Sequence, residues 1–114
     1  MISQQLIQEI SQLEADLCYA LADSTRILIL YTLHEGPHNV TDIGEKVDIP
    51  QSTTSRHLKI LRERGLVDTT RDGKSVIYHL VDSRVIEALD LLREVLRDGL
   101  IHKANLIEQY EADT

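Results

Sequence analysis

Between Gly65 and Val81 the chain gives up helical spacing, and this change of period limits the folds open to it more than any other feature. Leu66 to Arg71 and Ser75 to Val81 read as two short strands joined at Asp72-Gly73, both of which accept the positive φ of a tight hairpin. Upstream, the spacing is helical. Leu6, Ile10, Leu13, Leu17 and Leu21 recur three and four residues apart and predict a first helix over 3–20 with a polar far side. Asp23 or Ser24 can cap a second helix, whose Ile27, Leu28, Leu30, Tyr31 and Leu33 predict burial around most of its circumference until Gly36-Pro37 ends it. Asn39 is a good N-cap for a short third helix with Val40, Ile43 and Val47 on its inner face. Gly44 lowers helix propensity there but leaves room for a close crossing. Asp48-Ile49-Pro50 interrupts the pattern, and a fourth helix from Pro50 to Arg64 follows, stopped by Gly65. Downstream, Val85, Leu89, Leu92 and Leu96 share a stripe that resumes beyond Gly99 with Leu100, Ala104 and Ile107. A last helix over 83–110 is expected, with its continuity through Gly99 left open.

The order α-α-α-α-β-β-α is mainly α with a β-hairpin wing. It predicts a winged helix-turn-helix as a single domain over 1–114, with the helix-turn-helix at 39–65 and the wing at 66–81. A chain of 114 residues has room for one core. No apolar run approaches the roughly 18 residues a membrane span needs. The N-terminus lacks the basic start and apolar run of a secretory signal, and Cys18 is the only cysteine, so a reducing cytoplasm is the expected compartment. Cys18 has no partner for an intramolecular disulfide, and its neighbours Leu17 and Tyr19 predict a buried, inert thiol.

A net charge of -7 at first opposes a nucleic-acid partner. Its distribution does not. From Gln51 to His79 six basic residues (Arg56, Lys59, Arg62, Arg64, Arg71, Lys74) face three acidic ones (Glu63, Asp68, Asp72), a local +3 that leaves 6 basic and 16 acidic residues, or -10, elsewhere. Such a split suits a basic edge on a body that repels DNA. In the fourth helix Thr54, Leu58 and Leu61 must look inward, which turns Ser52, Ser55, Arg56 and Lys59 outward. Short hydroxyl side chains let a helix approach the major groove, and Arg and Lys reach guanine edges or phosphates. Gln51 and Thr53 flank the entry, His57 lies beside Arg56, and Arg71 and Lys74 of the wing suit phosphate or minor-groove contact. Double-stranded DNA is the partner this pattern predicts. One alternative is a solvated helix face, and another is a winged-helix module that docks a protein without binding DNA. The polar stripe and the presence of only four Tyr as aromatics argue against the module. No glycine elbow, phosphate loop or metal-ligand spacing organises an enzyme.

Three stretches, Ala20 to Arg26 (ALADSTR), Gln51 to Lys59 (QSTTSRHLK) and Gly65-Leu66-Val67 with its hairpin, resemble the ArsR/SmtB family of repressors. The resemblance implies a homodimer that binds an imperfect inverted repeat and leaves it when an inducer is sensed. It also implies that Gln51, Ser52, Thr53, Ser55, Arg56 and His57 contact DNA. Two positions depart from the family pattern. Asp48 and Pro50 stand where Gly and Ser are usual, and Thr54 stands for a β-branched apolar residue, although its methyl can pack and its hydroxyl can bond back to the preceding turn. The apolar stripes of the first and last helices exceed what so small a domain covers, which makes Leu6, Ile10, Leu92 and Leu96 the expected dimer interface. The family's metal ligands are missing: Asn39 and Thr41 replace paired cysteines, and Arg84 and Val95 occupy the histidine places of a second site that retains Asp82. These side chains bind transition metals poorly, so neither metal nor cofactor is expected. Gly36-Pro37 separates His34 from His38, His79 belongs with the wing, and His102 is expected on a solvated surface.

Overall fold

The computed structural model describes residues 1–113, and its contacts divide into two units, 1–83 and the helix that follows. In the first unit, helix α1 (Gln4–Leu13) is capped by Ser3, whose hydroxyl accepts from the Leu6 amide. It runs through a π-helical turn (Glu14–Cys18) into a last helical turn (Tyr19–Leu21). That π turn changes the expected stripe. Leu6, Ile10 and Leu13 are exposed, whereas Leu17 and Leu21 are half-buried, because an extra residue in the turn rotates everything after it.

Helix α2 (Ser24–His34) begins at Asp23, whose carboxylate accepts from the amides of Thr25 (2.8 Å) and Arg26 (3.1 Å). These are the N-terminal donors that a helix leaves unpaired. Burial raises this carboxyl group's pKa, but the Arg26 amide, the charge of His57, the Thr25 amide and the Arg26 charge together hold it below its ordinary value. Arg26, itself buried, turns back to satisfy the end of α1, its guanidinium donating to the carbonyls of Ala20 (2.7 Å) and Tyr19 (3.0 Å). Helix α2 is less enclosed than its composition predicts. Ile29, Leu30 and Leu33 are buried, but Leu28 is 55% exposed, because neighbouring elements cover only part of the helix.

Strand β1 (His38–Asn39) leads into helix α3 (Val40–Val47), and helix α4 (Gln51–Glu63) follows after a short turn. Strands β2 (Val67–Asp72) and β3 (Ser75–Leu80) form the antiparallel wing, paired from Val67↔Leu80 to Asp72↔Ser75. The sheet has a third strand that sequence spacing did not predict. β1 pairs with β3 through His38↔Tyr78 and Asn39↔Ile77, giving the order β1-β3-β2 and tying the start of α3 to the wing. The core of this unit is built from Ala20, Ile29, Leu30, Ile43, Leu58, Leu61, Leu66 and Val67.

The second unit is α5 (Arg84–Asp113), one unbroken helix of 30 residues, about 45 Å long at 1.5 Å per residue. Gly99 neither bends nor ends it. Ile86 and Leu89 are buried, and every described residue from Asp90 onward is exposed. Among the described residues no helix is long and apolar enough to cross a membrane.

Candidate nucleic-acid interface

The turn between α3 and α4 sets the angle at which α4 leaves the body. Asp48 takes the left-handed conformation (φ 60, ψ 52), the one non-glycine residue among those described to do so. The Ile49 amide then reaches back to the Gly44 carbonyl at 3.0 Å. Asp occupies this region at lower cost than most residues, so it serves where glycine would be the simplest choice. Pro50 is the N-cap and not the first helical residue, so the helix begins one residue later than predicted, and the Pro50 carbonyl accepts from the Thr54 amide.

Two residues lock the helices together. A Cβ on Gly44 would lie 2.9 Å from Thr54 Oγ1 and 3.1 Å from the Ile49 carbonyl, so only glycine fits this crossing without displacement. Thr54 is fully buried, and its hydroxyl donates back to the Pro50 carbonyl at 3.0 Å, which satisfies the one polar atom that a β-branched apolar residue would lack. The far end of α4 closes with Gly65 at φ +80, the Leu66 amide on Leu61 O (2.9 Å) and the Gly65 amide on Arg62 O (3.1 Å), the two bonds of a Schellman stop.

With Thr54, Leu58 and Leu61 buried, Gln51, Ser52, Ser55, Arg56 and Lys59 lie exposed on the outer side of α4. Thr53 is half-buried, and its hydroxyl accepts a long bond of 3.5 Å from Arg56. His57 is half-buried, with Nδ1 enclosed and unpartnered, so its ring is turned partly away from the stripe that Arg56 occupies. In the wing, Arg71 and Lys74 are both exposed at the tip. The tip differs in detail from the expected Asp72-Gly73 pair. Asp72 still pairs with Ser75, so the two central residues are Gly73 and Lys74, with positive φ at Gly73 alone, as in a type II′ hairpin.

The basic edge counted along the chain is narrower in space. Arg62 pairs with Asp68 at 3.5 Å, and Arg64 turns away to α1, where it meets Asp16 at 3.2 Å and donates to the Ala15 carbonyl within the π turn. The Gln12 amide and then Arg64 hold the Asp16 carboxyl below its ordinary pKa. Two guanidinium groups lie over the Tyr19 ring, Arg64 at 4.7 Å and Arg26 at 5.6 Å from its centre. Among the described residues no carboxylate pairs with Arg56, Lys59, Arg71 or Lys74, which leaves these four as the positive surface of α4 and the wing. Between them, Ser55, Lys59, Arg62, Glu63 and Tyr78 line an open hollow of about 460 Å³. Arg62 was expected only as one charge of the basic edge and Tyr78 not at all, because their approach depends on how the wing folds beside α4.

The other predicted positions are also located. Leu6 and Ile10 on α1 and Leu92 and Leu96 on α5 are all exposed, the last two at 61% and 64%. Cys18 is exposed and not buried as expected, since it lies at the end of the π turn where the helix changes phase. The side chain of Asn39 is engaged in capping α3, accepting from the Asp42 amide at 2.8 Å. Thr41 and Val95 are exposed, and Asp82 and Arg84 already have partners. His34 ends α2, while His38 lies in β1 and His79 in β3. Among the described residues no three His, Cys, Asp or Glu side chains converge on one point.

Residues 23–69 match the family model of bacterial regulatory proteins of the arsR family. The chain is 44% identical over 71 residues to the HTH-type transcriptional regulator NmtR of Mycobacterium tuberculosis, a stretch that is 62% of this chain and 59% of that relative, so it spans about three-fifths of NmtR. It is 41% identical over 78 residues to the biofilm growth-associated repressor of Agrobacterium fabrum, covering 66% of this chain and 67% of the relative. In three dimensions it is similar to the homodimeric winged helix-turn-helix DNA-binding domain of Mb0332 from Mycobacterium bovis. The TM-score is 0.75 at 28% identity, with 89% of this chain and 93% of that one covered. The buried inner stripe of α4, its polar outer stripe, the three-stranded wing and these likenesses agree: the chain belongs to the ArsR family of winged helix-turn-helix transcriptional regulators.

Proposed function

We propose that the chain is a homodimeric, cytoplasmic repressor that reads an inverted-repeat operator and is released by a signal still to be identified. The observation that carries the DNA reading is the two-sidedness of α4, with Thr54, Leu58 and Leu61 buried and Ser52, Ser55, Arg56 and Lys59 outward beside the charged wing tip. A helix of 13 residues, about 20 Å long, is of a size to lie in a major groove of about 12 Å width. Gln51, Ser52, Thr53, Arg56 and the outer edge of His57 face the bases in this reading, whereas Ser55, Lys59, Arg71 and Lys74 hold phosphates.

The exposed leucines and isoleucine at 6, 10, 92 and 96 support dimerisation, since two recognition helices must be joined to read half-sites one helical turn apart. Helix α5 thereby completes the regulator as a dimerisation element of a single winged helix-turn-helix domain. No catalytic chemistry enters this reading. The signal is not a metal at the family's usual positions, because Asn39 caps a helix and Thr41, Arg84 and Val95 offer neither thiolate nor imidazole.

The test is to select operator fragments from genomic DNA and compare Arg56→Ala with Lys74→Ala. Arg56→Ala is expected to lose about 1–3 kcal/mol on the selected site and little on random DNA. Lys74→Ala should weaken both alike. Identical behaviour of the two variants would overturn this assignment of roles, and protein that retains no genomic fragment would point to a protein-docking module.

A further inference from the structure

We propose that the hollow between α4 and β3 seats one phosphate of the DNA backbone, held by Lys59, Arg62 and the hydroxyl groups of Ser55 and Tyr78. The proposal rests on the DNA reading above and extends it to two residues, Arg62 and Tyr78, which that reading did not use.

The geometry of the duplex supplies the first step. A helix in the major groove and a wing directed at the adjacent minor groove lie on opposite sides of the phosphodiester strand that separates the grooves. That strand must cross the space between α4 and the wing, and this space is the hollow of about 460 Å³. Its lining matches what crosses it. Lys59 and Arg62 bring two positive charges, and Ser55 and Tyr78 bring hydroxyl donors suited to anionic oxygens. Tyr78 is half-buried in the middle strand, paired with Thr69 on one side and His38 on the other, so its ring stands on a fixed base.

Two carboxylates oppose the seat, and neither closes it. Glu63 also lines the hollow, which leaves its lining at +1. Asp68 holds Arg62 at 3.5 Å, but both side chains are more than half exposed, and a solvated pair of this kind is weak. Arg62 can therefore exchange a loosely held carboxylate for a phosphate. Asp68 serves meanwhile to keep the guanidinium near the hollow.

The test uses fluorescence anisotropy with a short random-sequence duplex, since a phosphate seat needs no particular bases. Wild type should show affinity falling steeply with salt. In Arg62→Ala the slope of log K against log salt should become shallower by about 0.9 for each seat that touches the duplex, or about 1.8 when both protomers of a dimer are bound. Tyr78→Phe should lose roughly tenfold in affinity through one charge-assisted hydrogen bond. Asp68→Asn, which breaks the same ion pair from the other side, should keep the wild-type slope, and circular dichroism should find all three variants folded. A wild-type slope in Arg62→Ala would overturn the seat while leaving DNA binding intact. Absence of salt-dependent binding by the wild type would overturn the DNA reading and the seat with it. Displacement of DNA by submillimolar inorganic phosphate at matched ionic strength, lost in Arg62→Ala, would assign the hollow to a free phosphorylated ligand instead.

Discussion

Helices α4 and α5 carry comparable apolar stripes and meet opposite fates. In α4 the inward residues Thr54, Leu58 and Leu61 are wholly buried by the chain's own elements, so the outer face is free to be polar and to work on a partner. In α5 the stripe from Leu91 through Leu92, Val95, Leu96 and Leu100 to Ile107 and Tyr110 stays exposed. A series of large apolar side chains along about 45 Å of helix is more than an isolated chain normally shows to water. One helix has its burial settled within the chain, and the other leaves its stripe uncovered. Apolar periodicity alone therefore marks a buried face without saying who buries it.

The sharpest break in this comparison is a truncation within α4. Leu58→Ala should cost about 2–5 kcal/mol of unfolding free energy, by urea denaturation, because the site is fully enclosed. Leu96→Ala, made in the exposed stripe, should cost far less at protein concentrations where only monomer is present; equal losses would show that α5 is buried within one chain after all. Next in size is Leu92→Glu, expected to sediment as a folded monomer and to lose about a hundredfold or more in operator affinity as the link between two readers is cut. Dimeric sedimentation by this variant would remove Leu92 from the interface. Gly44→Ala should cost about 1–3 kcal/mol in thermal unfolding, since the new methyl meets Thr54 and the Ile49 carbonyl, and pairing it with Thr54→Val isolates how much of that loss lies in the 2.9 Å approach.

The smallest expected effect is a pH dependence. Asp23 has its carboxyl pKa depressed in the folded chain, so its contribution to stability is complete above the unfolded value of about 3.9 and is lost as pH falls through the folded value. Asp23→Asn keeps a capping oxygen and should leave neutral stability nearly unchanged while flattening the acid limb of the unfolding curve. An unchanged acid limb would place that dependence on other carboxylates.

Much of this was legible in the sequence, for identifiable reasons. Gly44, Asp48 and Thr54 could be read because each is an exception to a local rule, and each exception has a steric or hydrogen-bonding cause within a few residues. The outer stripe of α4 followed from its inner one. What escaped was of another kind. Strand β1 is two residues long, too short for alternation to exist. Cys18 and Leu28 were expected inside because their neighbours are apolar, whereas exposure is decided by which neighbouring element happens to cover that side. Arg62 and Arg64 counted equally toward a basic edge, yet one borders the hollow and the other is bound to α1 across a separation of 48 residues, which no local spacing can express. Gly99 was ambiguous since its cost of roughly 1 kcal/mol is easily absorbed by a helix of thirty residues.

The π turn at Glu14–Cys18 acts as a rotary offset. One extra residue in a helix advances everything beyond it by about 100°, so the stripe of Leu6, Ile10 and Leu13 is clocked against the end that Arg26 and Arg64 clamp. Removing a single residue from that turn would leave every side chain of the outer stripe in place and aim the whole stripe about a quarter-turn away.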